Sequence, residues 1–250
     1  MKITLMGTAC AASGVERDNT YLLMQMQESC TLIDVGGNPL GKLKKLGIPT
    51  HHVKRVVLTH MHIDHIYGLP SLLWGMWIDG RREPLDIYCA EVKREWLEDW
   101  ISKLQMNEWT AQFEVRIHSF DWEQQTDIWH DEEISLSVFP SSHGSAPTVG
   151  IQAAYKGKTI VYSADSTLNP RFNEYPKIDL LIHEATTAYQ ALAAHSCLED
   201  LVHYYKLELI DQLVLVHLTD NEPYEEVING VSAEARAKIT VGTDLMTISL

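Results

Sequence analysis

Short apolar runs closed by glycine or polar residues fill the first third of the chain: KITLMG (2–7), TYLLMQM (20–26) and CTLIDVG (30–36). Their length and their content of strand-forming residues predict three β-strands. PLGKLKKLG (39–47) changes period, with Pro39 near its start and Gly47 as its stop, and predicts a short helix. VKRVVLT (53–59) reads as a buried strand by its apolar run. Helical spacing returns in GLPSLLWGMWIDG (68–80) and EVKREWLEDWISKLQ (91–105), on either side of a predicted strand at LDIYC (85–89).

The second half repeats this style, with strands predicted near 113–118, 134–140, 148–155, 158–163, 178–183 and 212–217. Helices are predicted at about 196–206, opened by the capping box Ser196-x-x-Glu199, and at about 223–236. Strands thus dominate both halves with helices between them. The pattern predicts an α/β (α+β) fold of two sheets packed face to face with helices outside. No linker, low-complexity tract or repeat divides the sequence, so a single domain over 1–250 is the simpler expectation. DWEQQTDIWHDEE (121–133), with six acidic and no basic residues, predicts a solvated loop.

Composition narrows the function classes. A chain of 250 residues, 45% hydrophobic and 22% charged, is long enough to bury a substantial core. Its 34 acidic against 20 basic residues give a net charge of -14, a field that repels phosphate backbones, so a nucleic acid would need a local patch. Cys10, Cys30, Cys89 and Cys197 lie far apart without a CxxC pair, which suits core residues in a reduced cytoplasm. MKITLMGTAC has one lysine and too short an apolar stretch for a secretory signal, and no run approaches a membrane span. A soluble, cytoplasmic protein is expected.

The chemistry concentrates in VVLTHMHIDHIYGLP (56–70), which places His60, His62, Asp64 and His65 within six positions. A buried imidazole needs a hydrogen-bonding partner, so a core gains nothing from such a cluster, whereas a metal centre gains a set of ligands. In an extended loop alternate side chains share a side, which suits His60 and His62 to one ion and Asp64 and His65 to a second. Further ligands should come from later strand ends, and His143 in FPSSHG, Asp165 in VYSADS and His217 in VLVHLTD stand at such ends. The two oxygens of Asp165 suit it to bridge. His51, His52, His118, His130 and His203 lack such company and read as surface or structural residues.

HxHxDH followed by His, Asp and His resembles the metallo-β-lactamase superfamily of binuclear hydrolases over nearly the whole chain. The resemblance implies an αββα sandwich with the site at one edge. It also implies one metal on His60, His62, His143 and Asp165, and another on Asp64, His65, Asp165 and His217. Nitrogen and oxygen ligands without thiolate favour two zinc ions, with manganese, iron or cobalt as alternatives. Water between two such cations becomes hydroxide near neutral pH, and Asp64 is the expected acceptor of its proton.

DLLIHEATTAYQALAAHSCLED (179–200) is not a zincin HExxH, because position 187 is threonine. HEAT followed by AHS instead resembles the ribonuclease Z branch. The resemblance implies that Glu184 orients His195 and that His195 protonates the departing alkoxide. GTACAASGVERDNTYLLM and DHIYGLPSLLWG resemble the same branch, and the second segment implies a homodimer through Leu69, Leu72, Leu73, Trp74 and Trp77. Two departures redirect the substrate. Only 21 residues (144–164) separate His143 from Asp165, room for two strands and a turn but not for a long tRNA-binding arm. The basic N-terminal loop is reduced to VERDN, with Arg17 and Asn19. The expectation is therefore a phosphodiesterase acting on a small phosphodiester such as a cyclic nucleotide, or on an RNA end, with tRNA disfavoured. The alternative on the same metals is a carboxyl-ester, lactone or sulfate-ester hydrolase. Lactonase relatives usually carry tyrosine where this chain has Leu168.

Overall fold

The apolar runs become two seven-stranded sheets. In the computed structural model, which describes residues 1–27 and 29–250, the first strands are β1 (Lys2–Gly7), β2 (Tyr21–Met26), β3 (Ser29–Ile33), β4 (Val53–Val57), β5 (Leu85–Ala90) and β6 (Val115–Phe120). Then come β7 (Thr126–His130), β8 (Ile134–His143), β9 (Ala146–Tyr155), β10 (Lys158–Tyr162), β11 (Leu180–Glu184), β12 (Leu213–Val216), β13 (Ile239–Val241) and β14 (Thr247–Ser249). The helices are α1 (Pro39–Lys45), α2 (Ile63–Ile66), α3 (Leu69–Ile78), α4 (Arg94–Ser102), α5 (Leu198–Tyr204), α6 (Tyr224–Gly230) and α7 (Ala233–Arg236).

The chain divides into two units, Met1–Gly7, Glu16–Phe120 and Asp244–Leu250 forming the first, Thr8–Val15 and Asp121–Thr243 the second. In the first unit the sheet order is β14-β1-β2-β3-β4-β5-β6. Pairing is antiparallel from β14 to β3 and parallel from β3 to β6. Each parallel step needs a crossover, and α1, α3 and α4 lie on the three connections. Leu23, Leu32, Val56, Leu72, Met76 and Ile87 share the core of this unit. A Cβ on Gly75 would meet Leu40 at 2.5 Å, so glycine there lets α1 and α3 approach closely.

The second unit follows the same plan in reverse. Its order is β13-β12-β11-β10-β9-β8-β7, parallel from β13 to β10 and antiparallel from β10 to β7. β12 reads LVLV with every residue buried, as a strand covered on both faces must. Val161, Leu181, Leu201, Leu213, Leu215 and Val227 belong to its core. All four cysteines are free and buried, and burial pushes the Cys30 and Cys89 thiols up to about 11, which keeps them protonated.

Several local expectations are corrected. The acidic 121–133 stretch is not all loop, because β7 pairs with β8 from Thr126 to His130; the ladder satisfies its backbone while its acidic side chains stay outward. Residues 223–236 form two short helices, α6 and α7, interrupted at Val231 and Ser232. Ser196 does not cap α5: its hydroxyl donates to Ser166 O, and the N-cap is Cys197. Leu69, Leu72 and Leu73 face the core and cannot form the outer face assigned to them, whereas Trp74 (46% exposed) and Ile78 (63%) point outward.

This placement of α3 makes Leu72→Ala costly, by about 2–5 kcal/mol, and Trp74→Ala milder, by about 1 kcal/mol. Denaturant unfolding of the two variants should give that ranking; the reverse ranking would contradict it.

Candidate metal centre and proton-donor pair

In the first unit the HMHIDH cluster begins after β4, but Asp64 and His65 stand on the helical turn α2 rather than on an extended loop. The expected partners are still close to one another. His60 Nε2 lies 3.0 Å from His62 Nδ1, and His65 Nε2 lies 3.3 Å from Asp64 Oδ2. Behind them sits Asp34, which follows β3 and is fully buried. It accepts the Thr59 amide and hydroxyl, each at 2.8 Å, and His65 Nδ1 lies 2.8 Å from its Oδ2. The Thr59 hydroxyl is also 3.1 Å from His60 Nδ1. Burial pushes the Asp34 carboxyl upward, and the charge and hydrogen bonds of His65 and Thr59 oppose that rise.

In the second unit the candidate residues collect at strand ends. His143 ends β8, Asp165 follows β10, Glu184 ends β11 and His217 follows β12. His217 Nε2 is 3.1 Å from Asp165 Oδ2, and His143 Nε2 is 3.8 Å from the same oxygen. His143 Nδ1 donates to Ala194 O at 2.8 Å. Glu184 is fully buried and ringed by donors: Ser166 N at 3.0 Å, Thr186 N at 3.1 Å, the Thr186 hydroxyl at 2.8 Å and His195 Nδ1 at 2.9 Å. The Thr186 hydroxyl is 2.9 Å from His217 Nδ1. The His195 ring stacks on His217 at 5.1 Å with 15° between planes.

Backbone strain marks the same places. Asp34 (φ 62°), Ala164 (φ 52°), Ala194 (φ 69°) and His217 (φ 56°) are left-handed although none is glycine. Each either carries a candidate side chain or precedes one. The spacings between candidate ligands fit a divalent ion: two ligands on a tetrahedral zinc with bonds near 2.0–2.1 Å stand roughly 3.3 Å apart. The 3.0, 3.1 and 3.3 Å pairs match that value, and the 3.8 Å pair is looser. Sequence reasoning missed Asp34, Thr59 and Thr186. Their one signal is position: Asp34 is the first charged residue after the CTLI run, and each threonine directly precedes or follows a residue already singled out or lies two beyond it.

Comparison with known proteins fits this arrangement. The ribonuclease Z of Methanothermobacter thermautotrophicus is 24% identical, over 100% of this chain and 97% of its own length. The crystal structure of human tRNase Z, short form, matches with a TM-score of 0.79 at 23% identity, covering 100% of this chain and 99% of that one. Zn(2+)-bound PqqB from Methylobacterium extorquens matches with a TM-score of 0.78 at 15% identity, covering 100% of each chain. The fold is thus that of the metallo-β-lactamase α/β sandwich, with ribonuclease Z among the relatives. Within it, the model of the family described as anti-Pycsar protein Apyc1 matches residues 1–236, and the chain belongs to that family.

His183, beside Glu184, has a separate role. Its Nδ1 donates to Glu184 O at 2.7 Å, its Nε2 accepts from the Tyr205 hydroxyl at 3.1 Å, and burial pushes its imidazole below the ordinary value. The folded state therefore disfavours the charged form. Its contribution to stability is fully present above the unfolded pKa of about 6.5 and is lost as pH falls below it, by at most about 1.4 kcal/mol per pH unit. In metal-free protein, His183→Gln should shrink the fall in stability between pH 7.5 and 5.5; an unchanged fall would assign it to other groups.

Proposed function

We propose that residues 1–250 work as one metallo-β-lactamase-like domain, a binuclear metal-dependent phosphodiesterase. The metal ligands would be His60, His62, Asp64, His65, His143, Asp165 and His217, zinc being the metal their imidazole and carboxylate donors suit best. Bound there, the ions would supply an acidified water and positive charge against the phosphoryl oxygens. Asp64 accepts the proton of the attacking water. The observation that carries the phosphodiester reading is the buried Glu184 held 2.9 Å from His195 Nδ1. That contact fixes the ring so that Nε2 can deliver a proton to a departing alkoxide, which a poor leaving group requires and a metal pair alone does not provide.

Three features favour a small substrate over tRNA. Between His143 and Asp165 the chain makes only β9, β10 and their turns, without an arm. Beside His143 lies a cavity of about 350 Å³, lined by Trp122, Pro140, Ser142 and Asn169 among others, in the range of small-ligand sites. A cyclic nucleotide or another compact phosphodiester fits that description better than a folded RNA; an RNA end remains the second substrate. The net charge of -14 points the same way. Among the described residues no helix is long and apolar enough to cross a membrane, in keeping with action in the cytoplasm. The outward apolar residues Ile63, Tyr67, Trp74 and Ile78 support a homodimer through α2 and α3.

Zinc- or manganese-loaded protein should hydrolyse bis-p-nitrophenyl phosphate in preference to a lactone or an aryl sulfate, with Asp64→Ala as the inactive control. Preference for the lactone or sulfate would overturn the phosphodiester reading. His195→Ala should lose roughly 10²–10⁴-fold on an alkyl leaving group but far less on p-nitrophenolate, which departs unassisted; equal losses would contradict the acid role. Light scattering at micromolar concentration should give twice the 28.4 kDa chain mass. A monomer mass would remove the dimer.

A further inference from the structure

The two units contain the same hydrogen-bond circuit, built from different sequence. In each, a buried carboxylate at the end of a strand receives both the amide and the hydroxyl of one threonine: Thr59 on Asp34, Thr186 on Glu184. In each, one histidine meets the carboxylate directly through Nδ1, His65 at 2.8 Å and His195 at 2.9 Å. A second histidine reaches it through the threonine hydroxyl, His60 at 3.1 Å and His217 at 2.9 Å, again by Nδ1.

The valence of the hydroxyl sets the direction of these bonds. It has one proton and two lone pairs, and an ionised carboxylate can only accept. With that proton committed to Asp34 or Glu184, the threonine oxygen can only accept from the imidazole. Nδ1 of His60 and of His217 must then carry the hydrogen. A neutral imidazole protonated at Nδ1 has its lone pair on Nε2, and His217 Nε2 is the atom 3.1 Å from Asp165 Oδ2.

We infer that Thr59 and Thr186 are positioning residues that lock His60 and His217 in the Nδ1–H tautomer, with Nε2 presented to a divalent cation. The cation rests on the two-ion reading above; the tautomer does not. The asymmetry within each circuit also has a meaning. The direct contact places a full negative charge against His65 and His195, while the relayed contact gives His60 and His217 orientation without that charge. One carboxylate, Glu184, therefore orients both the proposed acid and a proposed ligand, and the threonine separates the two tasks.

The tautomer can be read without any metal. Long-range proton–nitrogen spectra of metal-free protein, assigned with His60→Gln and His217→Gln, should show Nδ1 protonated in both rings. Thr59→Val and Thr186→Val keep the side-chain shape and remove the hydroxyl. Each should mix the tautomers of its own histidine and lower zinc affinity, by chelator competition, on the order of 10–100-fold, while Thr→Ser at either position should restore both readouts. Nδ1 without its hydrogen in either ring of the parent protein, or valine variants with unchanged tautomer and unchanged zinc affinity, would overturn the inference. A parent protein with the expected tautomers that binds no zinc would sink the two-ion reading and leave the tautomer lock supported. If a valine variant fails to fold, the serine variant and the parent spectrum still decide the question.

Discussion

A carboxylate taken out of water must be surrounded by donors, and this requirement organises both units. Asp34 and Glu184 are each fully buried, where an unpartnered charge would cost several kcal/mol. Neither can be satisfied by its own strand, because a ladder uses up the backbone donors within it. The donors come from the loops that leave neighbouring strand ends: Thr59 beyond β4, and Ser166 and Thr186 beyond β10 and β11. Those loops are thereby pinned, and the histidines they carry are pinned with them. The left-handed backbone at Asp34 and His217 is tolerable in the same way, since the surrounding bonds over-determine it.

The sheet plan explains why such ends coincide. In a parallel stretch every strand finishes at the same edge, so residues distant in sequence emerge side by side. β10, β11 and β12 deliver Asp165, Glu184 and His217 to one edge of the second sheet. β3 and β4 do the same for Asp34 and the residues after Thr59 in the first. The antiparallel halves serve differently: β8 and β9 pair without interruption down to His143 and Ala146 and so set the position of His143.

Much of this was legible in the sequence, for reasons that also mark where legibility ends. His60, His62, Asp64 and His65 stand out because contiguous candidate ligands leave a spacing that no core would select. His143, Asp165 and His217 could be found because apolar runs locate strand ends. Asp34, Thr59 and Thr186 could not, since a single aspartate or threonine at a strand end is what any turn would use; only the spatial neighbours distinguish them. β7 was hidden by its acidic surroundings, and β13 and β14 by having three residues each. The outward side of α3 was misassigned because the helix is apolar almost all round, so its pattern does not say which leucines face inward.

The pairing of β1 with β14, Lys2 opposite Ser249 and Thr4 opposite Thr247, joins residues 243 or more positions apart in one sheet. During synthesis, the first strand emerges long before its neighbour exists. Until β14 is made, β1 keeps an unpaired edge on the side away from β2, a surface open to wrong partners. The second unit is nearly continuous in sequence and has no such wait. Both sheets receive their last strand late, β13 (Ile239–Val241) in the second and β14 (Thr247–Ser249) in the first, but only the first must hold an early strand open until then.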